Sequence, residues 1–352
     1  MTVSGGCYRQ DNMTFPPTVL CRTFSFVFHQ TSTIELLQLQ NHSYIKRKES
    51  EMSTIPNFKL NTGAEIPAIG FGTWRSTEQE AYNAVIAALK AGYNHIDTAA
   101  VYGNEEIVGK AIRDSGISRN ELFITTKLWS TDHQRAEQAL RESLKKLGVE
   151  YVDLYLMHWP VTMNGDGNDA LFPTREDGSR DLIDPSKWSY LDTYLSMEKL
   201  LETKLTKAIG ISNFSLDKVQ VILDKANVVP AALQIELHPF LPQQELVDFC
   251  QSKGILVEAY SPLGSAGAPL LQTAQLQEIA AKYNTTPAAI CISWSVWRKV
   301  VPLPKSVTPE RIAANLKIVE LSDEDGKAIS NLHKLLGIKR FVSPEWGIKI
   351  FD

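Results

Sequence analysis

The chain is poor in the residues that build cross-linked or metal-stapled folds. Its 352 residues hold four cysteines, Cys7, Cys21, Cys250 and Cys291. They form no C-x-x-C pair and no dense framework, which suits a reducing compartment. The seven histidines contain no H-x-H or H-E-x-x-H pattern, so no metal site is expected. No run of about 18 uncharged apolar residues is present, and no spanning helix is expected. Basic charge is not in excess. The net charge of −4 disfavours nucleic acid or an anionic membrane as a partner. No G-x-S-x-G elbow is found, which disfavours a serine hydrolase. No G-x-G-x-x-G follows the first strand-like run, so the usual dinucleotide cradle is missing. What remains is ordinary for a globular protein, 43% hydrophobic and 22% charged. The length suits one large α/β domain or two modest ones.

Residues 1–51 differ from the rest. They mix Ser, Thr, Gln, Asn and Phe without a sustained period. They are read as a disordered N-terminal extension, with a second possible start at Met52. Arg9 and Arg22 among few acids give a weak transit-peptide signal. Asp11 and the lack of an Arg-rich amphipathic face count against it, so a cytoplasmic location is expected.

From Phe58 the chain becomes regular. Phe58–Pro67 reads as a hairpin turning at Asn61–Gly63. Strand-like runs then follow at Ala68–Gly72, Asn94–Thr98, Leu122–Leu128, Val152–His158, Ala208–Ser212, Ala232–Leu237, Leu256–Tyr260 and Val300–Pro304. Amphipathic segments lie between them, at Glu78–Ala91, Glu105–Ser115, His133–Leu147, Tyr190–Leu201, Leu216–Ala226, Gln243–Lys253 and Pro287–Arg298. Eight buried strands with intervening helices predict a parallel sheet closed as a (β/α)8 TIM barrel over 52–352. An open doubly wound sheet is the alternative, and it would want a Gly-rich first turn. Three long connections, Pro160–Lys187, Ser261–Thr273 and the tail Ile338–Asp352, are expected to wall a pocket at the C-terminal face.

Four residues carry the chemistry. Asp97, Tyr102, Lys127 and His158 each lie in or just after a strand-like run, at nearly one βα unit apart. A free phenol titrates near 10, too high for an efficient proton donor at neutral pH. A neighbouring ammonium favours phenolate and lowers that value. Lys127 is placed to supply it, and Asp97 to supply the counter-charge that a buried lysine needs. His158 then orients a substrate oxygen or shares in proton delivery. Taken singly, each has a structural use: a boundary tyrosine, a structural ion pair, a core histidine. Together they suit protonation of a carbonyl oxygen while hydride reaches the carbon.

Residues 56–352 resemble the aldo-keto reductase superfamily. The likeness rests on Gly70-Phe71-Gly72-Thr73-Trp74, His95-Ile96-Asp97-Thr98-Ala99 through Tyr102, Thr126-Lys127-Leu128-Trp129 and Leu156-Met157-His158-Trp159-Pro160. It continues in Gly210-Ile211-Ser212-Asn213-Phe214, Gln234-Ile235-Glu236-Leu237-His238-Pro239, Ala259-Tyr260-Ser261-Pro262-Leu263-Gly264 and Pro302 through Arg311. The pattern is similar to the fungal NADP-dependent glycerol dehydrogenase and aldehyde reductase branch.

The resemblance implies Tyr102 as general acid, Lys127 as its partner, Asp97 as the carboxylate holding Lys127, and His158 as the orienting group. It implies NADPH or NADP as cofactor. Tyr260 would stack on nicotinamide, and Ser212, Asn213 and Gln234 would hold the carboxamide. Thr73, Trp74, Ser261 and Leu263 join the cofactor set through their motifs. Lys305, Ser306 and Thr308 precede a helix opening near Pro309, with Arg311 in its first turn, and together these make an anion site for a 2′-phosphate. The family often has Glu three residues after that Arg. Here Ala314 stands there, followed by Asn315, which leaves the adenine contact open. Trp74, Val101, Trp129, His158, Trp159 and Trp346 are expected around an apolar substrate mouth.

The sequence therefore reads as a monomeric carbonyl reductase acting on small aldehydes or ketones, reversible toward glycerol or other polyols. Two other readings stay open. One is a cofactor-binding regulatory or structural barrel with little turnover. The other is an isomerase or aldolase using Lys127 as a Schiff base.

Overall fold

A computed structural model describes residues 55–351 except Ala266. The reading of residues 1–51 as an extension lies outside the described residues. Two strands form an antiparallel hairpin, β1 (Asn57–Lys59) and β2 (Glu65–Pro67), with Phe58 opposite Ile66. Leu60 and Ile66 of this hairpin are buried with Phe123, Leu154, Ala208, Leu256 and Val301. Those residues lie at or just before the starts of barrel strands, so the hairpin plugs the N-terminal end.

Eight parallel strands follow: β3 (Phe71–Gly72), β4 (His95–Asp97), β5 (Phe123–Leu128), β6 (Leu154–Met157), β7 (Ile209–Ser212), β8 (Ala232–Glu236), β9 (Leu256–Tyr260) and β10 (Val300–Leu303). They pair strictly in chain order from β3 to β10. The ring closes between its two ends. The Gly70 and Gly72 amides donate to the Pro302 and Pro304 carbonyls at 3.0 and 3.2 Å. Pro302 and Pro304 have no N–H to return, so this seam is bonded in one direction only. Gly70 is required there. A Cβ on it would lie 2.5 Å from the Leu303 side chain and 2.6 Å from His95.

Helices cover the outside of the barrel. Their inward faces and the outward faces of the strands form the main apolar core. The first helix, Glu78–Ala91, shows how the sequence sets the ends. Thr77 and Glu80 make a capping box, and Gly92 ends the helix at φ 104°. Strands run shorter than their apolar stretches. Ala68, for example, donates to Pro56 in the hairpin and not to a barrel strand. The stretch expected as one helix over Tyr190–Leu201 is two, Tyr190–Glu198 and Leu200–Thr203. The helices Ala274–Lys282, Asp323–Ser330 and Leu332–Leu336 were not among the predicted segments. No helix among the described residues is long and apolar enough to cross a membrane.

Candidate active site

The four chemistry-bearing residues meet at the C-terminal end of the barrel. Asp97 ends β4, Lys127 is the fifth residue of β5, and His158 follows β6. Tyr102 ends a single turn of 3₁₀-helix, Ala100–Tyr102, closed by Gly103 at φ 67°. Asn104 anchors this turn by donating to the Thr73 carbonyl at 2.9 Å and accepting from Thr98 Oγ1 at 3.3 Å.

Lys127 is the centre of the cluster and is fully buried. Its Nζ donates to Asp97 Oδ1 at 2.6 Å and to the Thr98 carbonyl at 2.9 Å. Its third direction reaches Tyr102 Oη at 3.5 Å, the outer limit of a hydrogen bond. The Tyr102 and His158 rings meet edge to face, with centroids 5.7 Å apart.

The electrostatics follow from burial and charge. Burial works to discharge Lys127, but Asp97 and then Tyr102 outweigh it and hold the ammonium above its usual value. Burial raises the Tyr102 phenol, Lys127 opposes that rise, and the net direction is upward. This corrects the expectation of a net lowering: in the free protein, desolvation exceeds the pull of the ammonium. The hydroxyl therefore keeps its proton at neutral pH. Burial, with Lys127 and His133 adding to it, holds the His158 imidazole well below its ordinary range. His158 is thus neutral, and its buried Nδ1 has no partner among the described residues.

The residues expected around a nicotinamide lie together, Ser212 and Asn213 at the end of β7, Gln234 in mid-β8 and Tyr260 at the end of β9. Asn213 takes a left-handed backbone, φ 65°. Its Nδ2 donates to the His158 carbonyl at 3.0 Å and to Ser212 Oγ at 3.2 Å. Tyr260 Oη donates to Asn213 Oδ1 at 2.8 Å. Gln234 Nε2 donates to Asp97 Oδ2 at 2.9 Å and to Glu258 Oε2 at 3.2 Å. Ser261, at φ 51°, and Leu263 continue this edge, both partly buried. Thr73 Oγ1 donates to the Asp97 carbonyl at 3.0 Å, which ties the end of β3 to β4. Trp74 is exposed, 6.3 Å from the Tyr102 ring.

The expected anion-binding residues sit across the seam from Trp74. Lys305 Nζ donates to the Arg75 carbonyl at 3.1 Å. Ser306 Oγ accepts from the Thr308 amide at 3.1 Å, just before the short helix Pro309–Ala314. Arg311 is exposed, and neither it nor Lys305 is ion-paired among the described residues. Asn315, at the end of the same helix, is buried.

The residues expected at the substrate mouth divide into two groups. Trp129, Trp159 and Trp346 are buried as one cluster, with Val101 packed against it. The centroid of Trp346 lies 6.2 Å from Trp129 and 5.1 Å from Trp159. Trp129 Nε1 donates to the Leu171 carbonyl at 2.7 Å, so the loop after β6 folds over it. Trp74 stands apart from this cluster. Two surface cavities, of about 440 and 290 Å³, are lined by neither group.

Sequence reasoning missed what secures the tail. Both oxygens of the buried Glu236 carboxylate accept backbone N–H bonds, from Phe341 at 2.7 Å and Val342 at 2.8 Å. Lys218 Nζ holds the Ile350 carbonyl at 3.0 Å. Phe351 packs on Trp159 at 6.1 Å. Glu258 was also missed. The available signal was a lone acid inside the apolar run Leu256–Tyr260.

Comparison with known proteins gives a consistent family. The profile of the Aldo/keto reductase family matches residues 68–334. The chain is 55% identical to aldehyde reductase YPR1 of Saccharomyces cerevisiae, over 82% of this chain and 94% of that protein. It is 54% identical to glycerol 2-dehydrogenase (NADP(+)) of the same organism, with the same two coverages. Among solved structures it is similar to the aldose reductase from Schistosoma japonicum, with a TM-score of 0.76 and 38% identity. That match covers 82% of this chain and 94% of the other.

Proposed function

Because this chain belongs to the aldo/keto reductase family, we propose that it reduces small aldehydes and ketones to alcohols with NADPH, and oxidises polyols such as glycerol in reverse. The observation that carries the reading is the placement of Lys127 Nζ between Asp97, Thr98 and Tyr102. An ammonium fixed by two stronger acceptors offers its remaining direction to one phenol. That phenol becomes the proton donor.

NADPH supplies the hydride. The chain supplies everything else. Tyr102 Oη gives its proton to the carbonyl oxygen as negative charge develops there, and Lys127 steadies the phenolate left behind. His158, neutral, orients the same oxygen by hydrogen bonding. The tryptophan cluster and the tail keep water from the reacting carbon. Lys127 is held charged by its salt bridge, which weighs against its use as a Schiff-base amine.

The residues present fit the cofactor. Ser212, Asn213 and Gln234 offer a hydroxyl and two amides on the adjoining strands β7 and β8, and the half-buried Tyr260 ring lies beside them. They would hold the carboxamide and the nicotinamide ring. Lys305, Ser306, Thr308 and Arg311, with Asn315 next to them, would hold the phosphate-bearing end, while Thr73 and Trp74, Ser261 and Leu263 border it. Neither Lys305 nor Arg311 is ion-paired among the described residues, so a 2′-phosphate would find two cations there. Arg311→Ala is expected to weaken NADPH roughly tenfold or more and NADH far less. Fluorescence titration of both cofactors checks this, and equal weakening would place the phosphate elsewhere.

The direct test of the reading is NADPH consumption with aldehydes and α-dicarbonyls, and NADP reduction with polyols. Turnover on any of these supports it. Tight NADPH binding without turnover on any of them would favour a regulatory barrel.

A further inference from the structure

We propose that Glu258 is a positioning residue: as the second carboxyl group on the Gln234 amide, it fixes which end of that amide faces the cofactor. The proposal rests on the cofactor reading above. Gln234 on β8 and Glu258 on β9 are register partners. Gln234 is 2% exposed and Glu258 fully buried. An amide nitrogen has two hydrogens, and here both are spent, one on Asp97 Oδ2 at 2.9 Å and one on Glu258 Oε2 at 3.2 Å. Flipping the amide would set its carbonyl oxygen against the Asp97 carboxylate and take from Glu258 Oε2 the hydrogen it accepts. The pair of acids thus leaves only the acceptor, Gln234 Oε1, for a carboxamide. Asp97 alone would occupy one hydrogen and leave the other unpaired.

Two carboxyl groups on one amide do not both ionise easily. The charged or titratable groups facing Glu258 are Asp97 and His95 from β4 and Lys127 from β5. His95 Nε2 is 3.9 Å from Glu258 Oε1, beyond hydrogen-bond reach, and it bonds Thr125 Oγ1 at 3.2 Å instead. Burial pushes the His95 imidazole down to about 4, so it brings no positive charge at neutral pH. Glu258 Oε1 has no partner among the described residues. Burial, and then Asp97, push the Glu258 carboxyl up to about 8, against the pull of Gln234 and Lys127. It is therefore a neutral acid at pH 7. Above about pH 8 it adds a negative charge to the field felt by Lys127.

The test compares wild type with Glu258→Gln, a neutral mimic of the acid, and Glu258→Leu, which removes the second acceptor. Carboxyl carbon NMR of Glu-labelled protein is expected to lose one resonance in Glu258→Gln, and that resonance titrates near pH 8 in wild type. Glu258→Leu is expected to bind NADPH roughly tenfold more weakly, the cost of one such hydrogen bond. Glu258→Gln is expected to keep wild-type affinity at pH 7 and to lose its pH dependence between 7 and 9. A midpoint below pH 6, an unchanged pH dependence in Glu258→Gln, or full affinity in a folded Glu258→Leu would each overturn the proposal. Should wild type bind no NADPH, the cofactor reading falls, and the carboxyl titration still decides whether Glu258 is held as an acid. Should Glu258→Leu not fold, the Glu258→Gln comparison decides alone.

Discussion

Tyr102→Phe is expected to lower turnover with an aldehyde by roughly two to four orders of magnitude, the usual worth of a positioned general acid. NADPH affinity should be nearly unchanged. Phenylalanine keeps the ring that packs at 5.7 Å from His158 and removes only the oxygen facing Lys127. The loss therefore isolates proton delivery from architecture. The alkoxide would have to take its proton from His158 or from water. His158 is neutral and desolvated, and water is a weaker acid than a positioned phenol. Steady-state assays with a saturating aldehyde read kcat, and fluorescence quenching reads the cofactor. Turnover close to wild type would remove Tyr102 from the chemistry and return it to a packing role.

Asp97→Asn is expected to cost stability as well as activity. Lys127 is fully buried, and Asp97 is its only counter-ion within salt-bridge distance among the described residues. Removing one partner of a buried pair leaves an uncompensated charge, at roughly 3–5 kcal/mol. Either orientation of the new amide also fails. Nδ2 in the place of Oδ2 would point a donor at Gln234 Nε2, and in the place of Oδ1 it would point one at Lys127.

The pH dependence has a definite sign. In wild type the ammonium is held above its usual value. Its contribution is complete below about pH 10.4 and is lost only as pH rises through the folded value. In the variant, desolvation dominates and the folded value falls below that of the unfolded chain. The variant then gains stability as the solution becomes alkaline, and the gap to wild type narrows between pH 7 and 10. Urea unfolding at several pH values measures this. A constant gap, or none, would mean that Lys127 finds another counter-charge.

Much of this site was legible before any coordinates. Asp97 and Lys127 are ionisable residues inside apolar strand runs, and such residues need a partner. With eight strands in chain order, the partner had to sit one strand away. Harder to foresee was the direction of the Tyr102 shift. It depends on how far burial exceeds the field of one ammonium, and a sequence gives neither quantity. The acid-rich helix Asp323–Ser330 has few apolar positions and showed little periodicity. The grip of Glu236 on the tail runs through backbone amides, which carry no residue signature. The tryptophans near the motifs could be placed, but their packing on one another depends on where the tail lies.

The one-way closure between Gly70 and Pro304 has a consequence for how the ring responds to its ligand. Every other junction is knitted by a ladder that donates from both sides; this one resembles a clasp. The segments proposed to embrace the nucleotide, Thr73–Trp74 and Lys305–Arg311, lie on opposite sides of that clasp, and Lys305 already links across it to the Arg75 carbonyl. A nucleotide bound across them would act as a fastener, stabilising the closed ring more the further its concentration exceeds its Kd. Deuterium uptake at the Gly70 and Gly72 amides should slow more on adding NADPH than uptake at buried amides of β6 and β7.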